Sequence, residues 1–139
     1  MDILLVEDNP ADARLFAEAL AEVNPATRLA VAPDGPAALA LLLLGQPTTP
    51  AYPSLIVLDV NLPGLSGHQV LATLKHDPAL RRIPVVMLST SSAPDDLAAA
   101  LDRHANAYLL KPPDLDAFVA AVAALDTFWR TALTSSFTA

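Results

Sequence analysis

The chain has 139 residues, of which 53% are hydrophobic and 17% charged, with a net charge of −7 and a pI near 4.6. That is enough chain for one domain with a proper core, and too apolar for a disordered segment. The acidic balance works against binding to phosphate backbones, so no nucleic-acid partner is expected. Without cysteine there are no disulfides, thiolate ligands or thiol nucleophiles, and a reducing cytoplasm is allowed. The start Met-Asp-Ile-Leu-Leu-Val lacks a signal peptide's basic flank and no apolar run is long enough to span a bilayer, so a cytoplasmic protein with no membrane partner is expected.

In chain order, Ile3 to Val6 is apolar and β-prone and runs into Glu7-Asp8-Asn9-Pro10. Asn9 suits an N-cap and Pro10 a first helical position. The helix that follows places Leu15, Phe16, Ala19, Leu20 and Val23 on one face. Leu29 to Ala32 is a weaker strand, followed by Asp34-Gly35-Pro36 and a helix with Leu39, Leu42 and Leu43 that ends near Gly45. Gln46 to Pro53, with three prolines and two threonines, is a loop. Leu55 to Leu58 forms a buried parallel strand that delivers Asp59 to its carboxyl end. There Asp59 is either a reactive acid or an ordinary turn former, and this segment alone does not separate the two.

Ser66 and Gly67 begin a helix with Val70, Leu71 and Leu74 facing inward, ending before Asp77-Pro78. Ile83 to Leu88 is a fourth strand, stopping at Ser89-Thr90-Ser91-Ser92. Ser92 to Asp95 has the form of a capping box ahead of a helix bearing Leu97 and Leu101. Ala107 to Leu110 is a short fifth strand, with Lys111 at its end before Pro112-Pro113. Asp114 caps a last helix carrying Phe118, Val122, Leu125 and Trp129, and residues 133 to 139 form a frayed tail beyond a domain spanning 1 to 132. Five alternations of strand and helix give an α/β doubly wound parallel sheet, with order 2-1-3-4-5 if it is flavodoxin-like.

In that order the first and third strands are neighbours, so Glu7, Asp8 and Asp59 converge. Crowded carboxylates repel, and a hard divalent cation with oxygen ligands resolves the repulsion; Mg²⁺ fits best. A phosphoryl group arriving at Asp59 as nucleophile would have its charge balanced by the metal, by Lys111 and by the Ser89 hydroxyl. Singly, each position has a plainer explanation. Asp8 suits a helix start, Lys111 an exposed surface and Ser89 to Ser92 a polar turn. Their common placement at strand carboxyl ends is what joins them.

Leu-Val-Glu7-Asp8-Asn-Pro, Leu-Asp59-Val-Asn61-Leu-Pro-Gly, Leu-Ser89-Thr-Ser and Tyr108-Leu-Leu-Lys111-Pro112 together resemble the receiver domain of two-component response regulators, over essentially the whole chain. The resemblance implies a CheY-like fold with five helices. It implies that Asp59 accepts a phosphoryl group from a phosphohistidine on a sensor histidine kinase. Asp8, Asp59 and the Asn61 backbone carbonyl would bind Mg²⁺, with Glu7 acting through a water. Ser89 would be the switch hydroxyl, Tyr108 the switch aromatic and Lys111 the phosphate bridge, with a cis Lys111–Pro112 bond. Such a protein signals without being an enzyme on other substrates.

Asn-Pro-Ala-Asp12, the Pro-rich loop, Leu-Ser-Thr-Ser92 and Phe128-Trp129 narrow the likeness to stand-alone regulators paired with bacterial phytochromes. His104, where many receivers have Gly, and Pro113 depart from the pattern. The family docks partners or dimerises on the face of its fourth helix, fifth strand and fifth helix. Tyr108, Phe118, Phe128 and Trp129 fall there, four of the seven aromatics, so a homodimer is expected through that face. Three rivals remain: a Mg²⁺-dependent phosphatase with an Asp nucleophile, a pseudo-receiver that only docks partners, and a flavin or nucleotide carrier. Asn61 cannot act as the phosphatase's general acid, and a carrier would need a Gly-rich phosphate loop.

Overall fold

The computed structural model describes residues 2–44, 52–90, 98, 102 and 105–138. Five parallel strands, β1 (Ile3–Val6), β2 (Leu29–Ala32), β3 (Leu55–Asp59), β4 (Val85–Ser89) and β5 (Ala107–Leu110), lie in the order β2-β1-β3-β4-β5. The described residues also form four helices: α1 (Pro10–Val23), α2 (Gly35–Leu44), α3 (Gly67–His76) and α4 (Leu115–Thr138). Of the helix expected after Ser92, Ala98 and Asp102 are described and both are helical. The proposed capping box, Leu97, Leu101 and His104 lie outside the described residues, as does most of the Pro-rich loop.

Alternation along the strands divides the core. Leu4, Val6, Ile56, Leu58, Val85 and Met87 face α2 and α3, while Ile3, Leu5, Leu55, Val57, Val86 and Leu88 face α1 and α4. Burial on both faces is why the central strands read as unbroken apolar runs. The caps act as their residue types dictate. Asn9 Oδ1 accepts from the Ala11 and Asp12 N–H groups, and Ser66 and Gln69 form a reciprocal capping box. Asp114 Oδ1 accepts from the Ala117 N–H at 2.9 Å, opening α4.

Three expectations need correction. β4 begins at Val85 and not Ile83, because Pro84 has no N–H for the ladder and Ile83 closes a turn on Leu80 O at 3.0 Å. α4 is helical through Thr138 where a frayed tail is expected, and no Gly or Pro interrupts it. Phe118 and Trp129 do not belong to an exposed aromatic surface. They are 1% and 7% exposed, packed with Phe16, Leu20, Val122 and Leu125 between the sheet, α1 and α4.

Candidate phosphoacceptor site

The carboxyl edge of the sheet gathers the polar residues singled out from the sequence. Glu7 continues β1, its N–H donating to Ala32 O at 3.0 Å, and its side chain is buried while the adjacent Asp8 is exposed. Asp59 is the last residue of β3 and is 1% exposed. Its Oδ1 accepts from the Asn61 N–H at 3.0 Å and its Oδ2 from Lys111 Nζ at 2.9 Å. Ser89 ends β4 fully buried, and its carbonyl accepts from the Lys111 N–H. Tyr108, opposite Met87 in the β4–β5 register, is half-buried on the α2–α3 side of the sheet.

The loop that follows β3 is held tightly. Val60 N–H donates to Leu88 O, and Gly67 N–H returns to Val60 O, each at 3.0 Å. A Cβ on Gly67 would stand 2.2 Å from Asp59 O and 2.7 Å from Val60 Cα, so only glycine lets α3 start this close to the strand that carries Asp59. Gly64 supplies the left-handed turn within the loop, at φ 70°.

Lys111 is more deeply engaged than its sequence position indicates. Its Nζ donates to Asp59 Oδ2 and to Asp12 Oδ2, both at 2.9 Å, and lies 2.7 Å from Glu7 Oε1. The Glu7 contact is an ion pair that is not aligned as a hydrogen bond. Asp12, in the first turn of α1, appears in the sequence only as part of a motif and not as a member of the site. An acid three residues after the Asn9 cap faces the strand ends, and that spacing is the signal that could have found it.

Burial, and next a hydrogen bond between its carboxyl and that of Asp59, push Glu7 up to about 8, so near neutral pH it holds a proton in the metal-free site. Burial also works to raise Asp59, but the hydrogen bonds from Glu7, Lys111 and Asn61 outweigh it and hold Asp59 below its ordinary value. Burial alone would lower Lys111; the Glu7, Asp12 and Asp59 carboxylates outweigh it and raise Lys111 above an ordinary lysine. One oxygen each from Glu7, Asp8 and Asp59 lies within 4.8 Å of the others. This is a hard-oxygen donor set fitted to a divalent cation. The Lys111–Pro112 bond is trans, against the cis form the family resemblance implies, as the trans preference of about 0.5–1 kcal/mol at X–Pro bonds favours.

A doubly wound sheet with a buried acid and hydroxyl, and a partly buried lysine bonded to that acid, at its carboxyl edge has the make-up of a phosphoacceptor module. The chain belongs to the response regulator receiver domain family, whose model matches residues 3–123. It is 42% identical to the response regulator Rcp1 of Synechocystis over 133 residues, spanning 95% of this chain and 90% of that protein. Among solved structures it is similar to the phosphorylated cyanobacterial phytochrome response regulator RcpA, at 43% identity and a TM-score of 0.82 over 94% of each chain. The Mn²⁺-bound form of Rcp1 superposes with a TM-score of 0.80 at 42% identity, over 91% of this chain and 92% of that one. No helix among the described residues is long and apolar enough to cross a membrane.

Proposed function

We propose that Asp59 accepts a phosphoryl group from the phosphohistidine of a phytochrome-type sensor histidine kinase, in a Mg²⁺-dependent phosphorelay in the cytoplasm. The observation that carries this is the state of Asp59, a buried carboxylate at a strand end whose two oxygens already meet Asn61 N–H and Lys111 Nζ. An Asp59 oxygen attacks phosphorus, the new O–P bond forms as the P–N bond breaks, and the departing imidazole takes up a proton. Asp8, Asp59 and the Asn61 carbonyl would hold Mg²⁺, with Glu7 acting through a water; the cation, when bound, neutralises phosphoryl oxygens. Lys111 bridges the phosphoryl group, the Ser89 hydroxyl moves toward it, and Tyr108 changes rotamer in response. The likeness to RcpA and Rcp1 supports the phytochrome pairing.

The protein acts as a phosphoacceptor and not as an enzyme on other substrates, since the Asn61 amide cannot protonate a leaving group. With acetyl phosphate and Mg²⁺, intact mass should rise by one phosphate, and Asp59→Asn should remove that gain. No gain in the unsubstituted protein, or turnover of general phosphomonoesters, would overturn the reading. Among histidine kinases of one organism, the phytochrome-type kinase should transfer fastest; faster transfer from another would remove the pairing.

The receiver also forms a homodimer through the side of the molecule that includes β5 and α4. Support comes from the exposed apolar residues Leu110 on edge strand β5 and Phe128 on α4, at 53% and 50%. Sedimentation should show a dimer at micromolar concentrations, weakened by Leu110→Asp. A monomer with and without beryllofluoride would refute it.

A further inference from the structure

The ammonium of Lys111 has three hydrogens to donate and three carboxylates around it. It donates to Asp12 and Asp59 at 2.9 Å and meets Glu7 Oε1 at 2.7 Å. An incoming phosphoryl oxygen therefore meets an ammonium that already donates two hydrogen bonds and sits against a third carboxyl oxygen, and it must compete with those oxygens for the charge.

The three are unequal. Glu7 and Asp59 have side chains 1% and 2% exposed and belong to the oxygen cluster with Asp8. Losing the cation there leaves the buried Asp59 charge without compensation. Asp12 is 27% exposed, stands on α1 outside that cluster, and can exchange the ammonium for water at little cost. Its position is fixed, because the Asn9 cap that accepts from the Asp12 N–H sets the first turn of α1 against the strand ends.

We infer that Asp12 is a positioning residue that occupies Lys111 until a phosphoryl oxygen takes its place. Asp12 keeps the ammonium extended over Asp59 in the unphosphorylated protein, and its release frees one N–H of Lys111 for the phosphoryl group. The contact ties α1 to the segment after β5, residues 99 apart in the chain, so exchange at Lys111 also unties α1 from that segment. This rests on Asp59 being the phosphoacceptor. It adds that phosphoryl binding competes with a carboxylate built into the chain.

The test is beryllofluoride binding at saturating Mg²⁺, measured calorimetrically, with acetyl phosphate as a small donor that needs no docking surface. Asp12→Ala should tighten beryllofluoride by about tenfold, the scale of one charge-assisted hydrogen bond discounted for partial exposure. Asp12→Asn, whose amide oxygen still accepts from the ammonium, should fall between Ala and the unsubstituted protein, and Asp12→Glu should restore weaker binding. With acetyl phosphate, Asp12→Ala should lower the half-saturating donor concentration while the maximal rate stays within about twofold. Glu18→Gln removes a carboxylate of the same helix that pairs with Arg14, and should change neither quantity.

Unchanged or weaker binding by Asp12→Ala, equal effects of Ala and Asn, or an equal effect of Glu18→Gln would each overturn the role of Asp12 and leave Asp59 as phosphoacceptor. Failure of the unsubstituted protein to bind beryllofluoride or take phosphate would overturn both.

Discussion

Replacing Lys111 with Met keeps most of the aliphatic stem and deletes the charge at the centre of the site. The Lys111 side chain is 11% exposed, and its ammonium sits 2.7 to 2.9 Å from oxygens of Glu7, Asp12 and Asp59. Removing one partner of a buried ion pair costs about 3–5 kcal/mol. Two features lower that figure here. Glu7, with its pKa near 8, is mostly protonated at pH 7, and Asp12 is open enough to be solvated. Asp59 is the charge left stranded, so the loss at pH 7.5 without divalent cation should be about 2–4 kcal/mol, a large share of a domain stability of about 5–15 kcal/mol.

Because the missing charge is what destabilises, Mg²⁺ should restore more stability to Lys111→Met than it adds to the unsubstituted protein. Acidification to pH 5 should shrink the difference as Asp59 of the variant takes up a proton. Urea unfolding with and without Mg²⁺ at both pH values reads this out through midpoints at constant slope. A loss under about 0.5 kcal/mol, or one indifferent to both Mg²⁺ and pH, would show that Lys111 does not hold these carboxylates together.

The proton on Glu7 predicts a pH dependence. Its folded-state pKa is raised from 4.5 to about 8, so its contribution is fully present below pH 4.5 and is lost as pH rises toward 8, by up to about 1.4 kcal/mol per pH unit. Asp59, lowered from 3.8, has the opposite sign and acts only below that window. Glu7→Gln should therefore gain about 2–4 kcal/mol over the unsubstituted protein between pH 5 and pH 8 without divalent cation; parallel urea midpoints across that range would refute the shared proton. Gly67→Ala should cost about 3 kcal/mol and slow phosphorylation by acetyl phosphate, because its Cβ meets the Asp59 and Val60 backbone at 2.2 and 2.7 Å. A loss below about 1 kcal/mol would mean that the turn yields.

The strands and the ends of most helices are legible in the sequence because they depend on short-range chemistry. Asn9 before Pro10, Ser66 before Gly67 and Asp114 after two prolines are local caps, and an apolar run ended by an acid marks a strand reaching the functional edge. The error at β4 is also local, since Ile83 is apolar but Pro84 shuts it out of the ladder. Phe118 and Trp129 misled for a different reason. Their spacing of four, three and four with Val122 and Leu125 marks a buried stripe, and counting them toward an exposed surface used one burial twice. For Asp12 the spacing from the Asn9 cap signals only a place at the strand ends; its partner is 99 residues away, and its meaning depends on where Lys111 Nζ points.

The same electrostatics ties stability to signalling. Carboxylates gathered tightly enough to hold a hard cation are too close to remain ionised together without it, and the metal-free site answers with a proton on Glu7 and an ammonium shared three ways. Cation and phosphoryl group act on different parts of this arrangement. A divalent cation would be held by the oxygen cluster of Glu7, Asp8 and Asp59 and would relieve its repulsion, whereas a phosphoryl group would draw on Lys111. A variant that alters only Asp12 should therefore change the response to phosphate more than the response to metal, and one that alters only Glu7 should do the reverse. Lys111 is bonded both to the strand that carries Asp59 and to α1, so exchange at its ammonium would give phosphate a path to α1 beside the one through Ser89 and Tyr108.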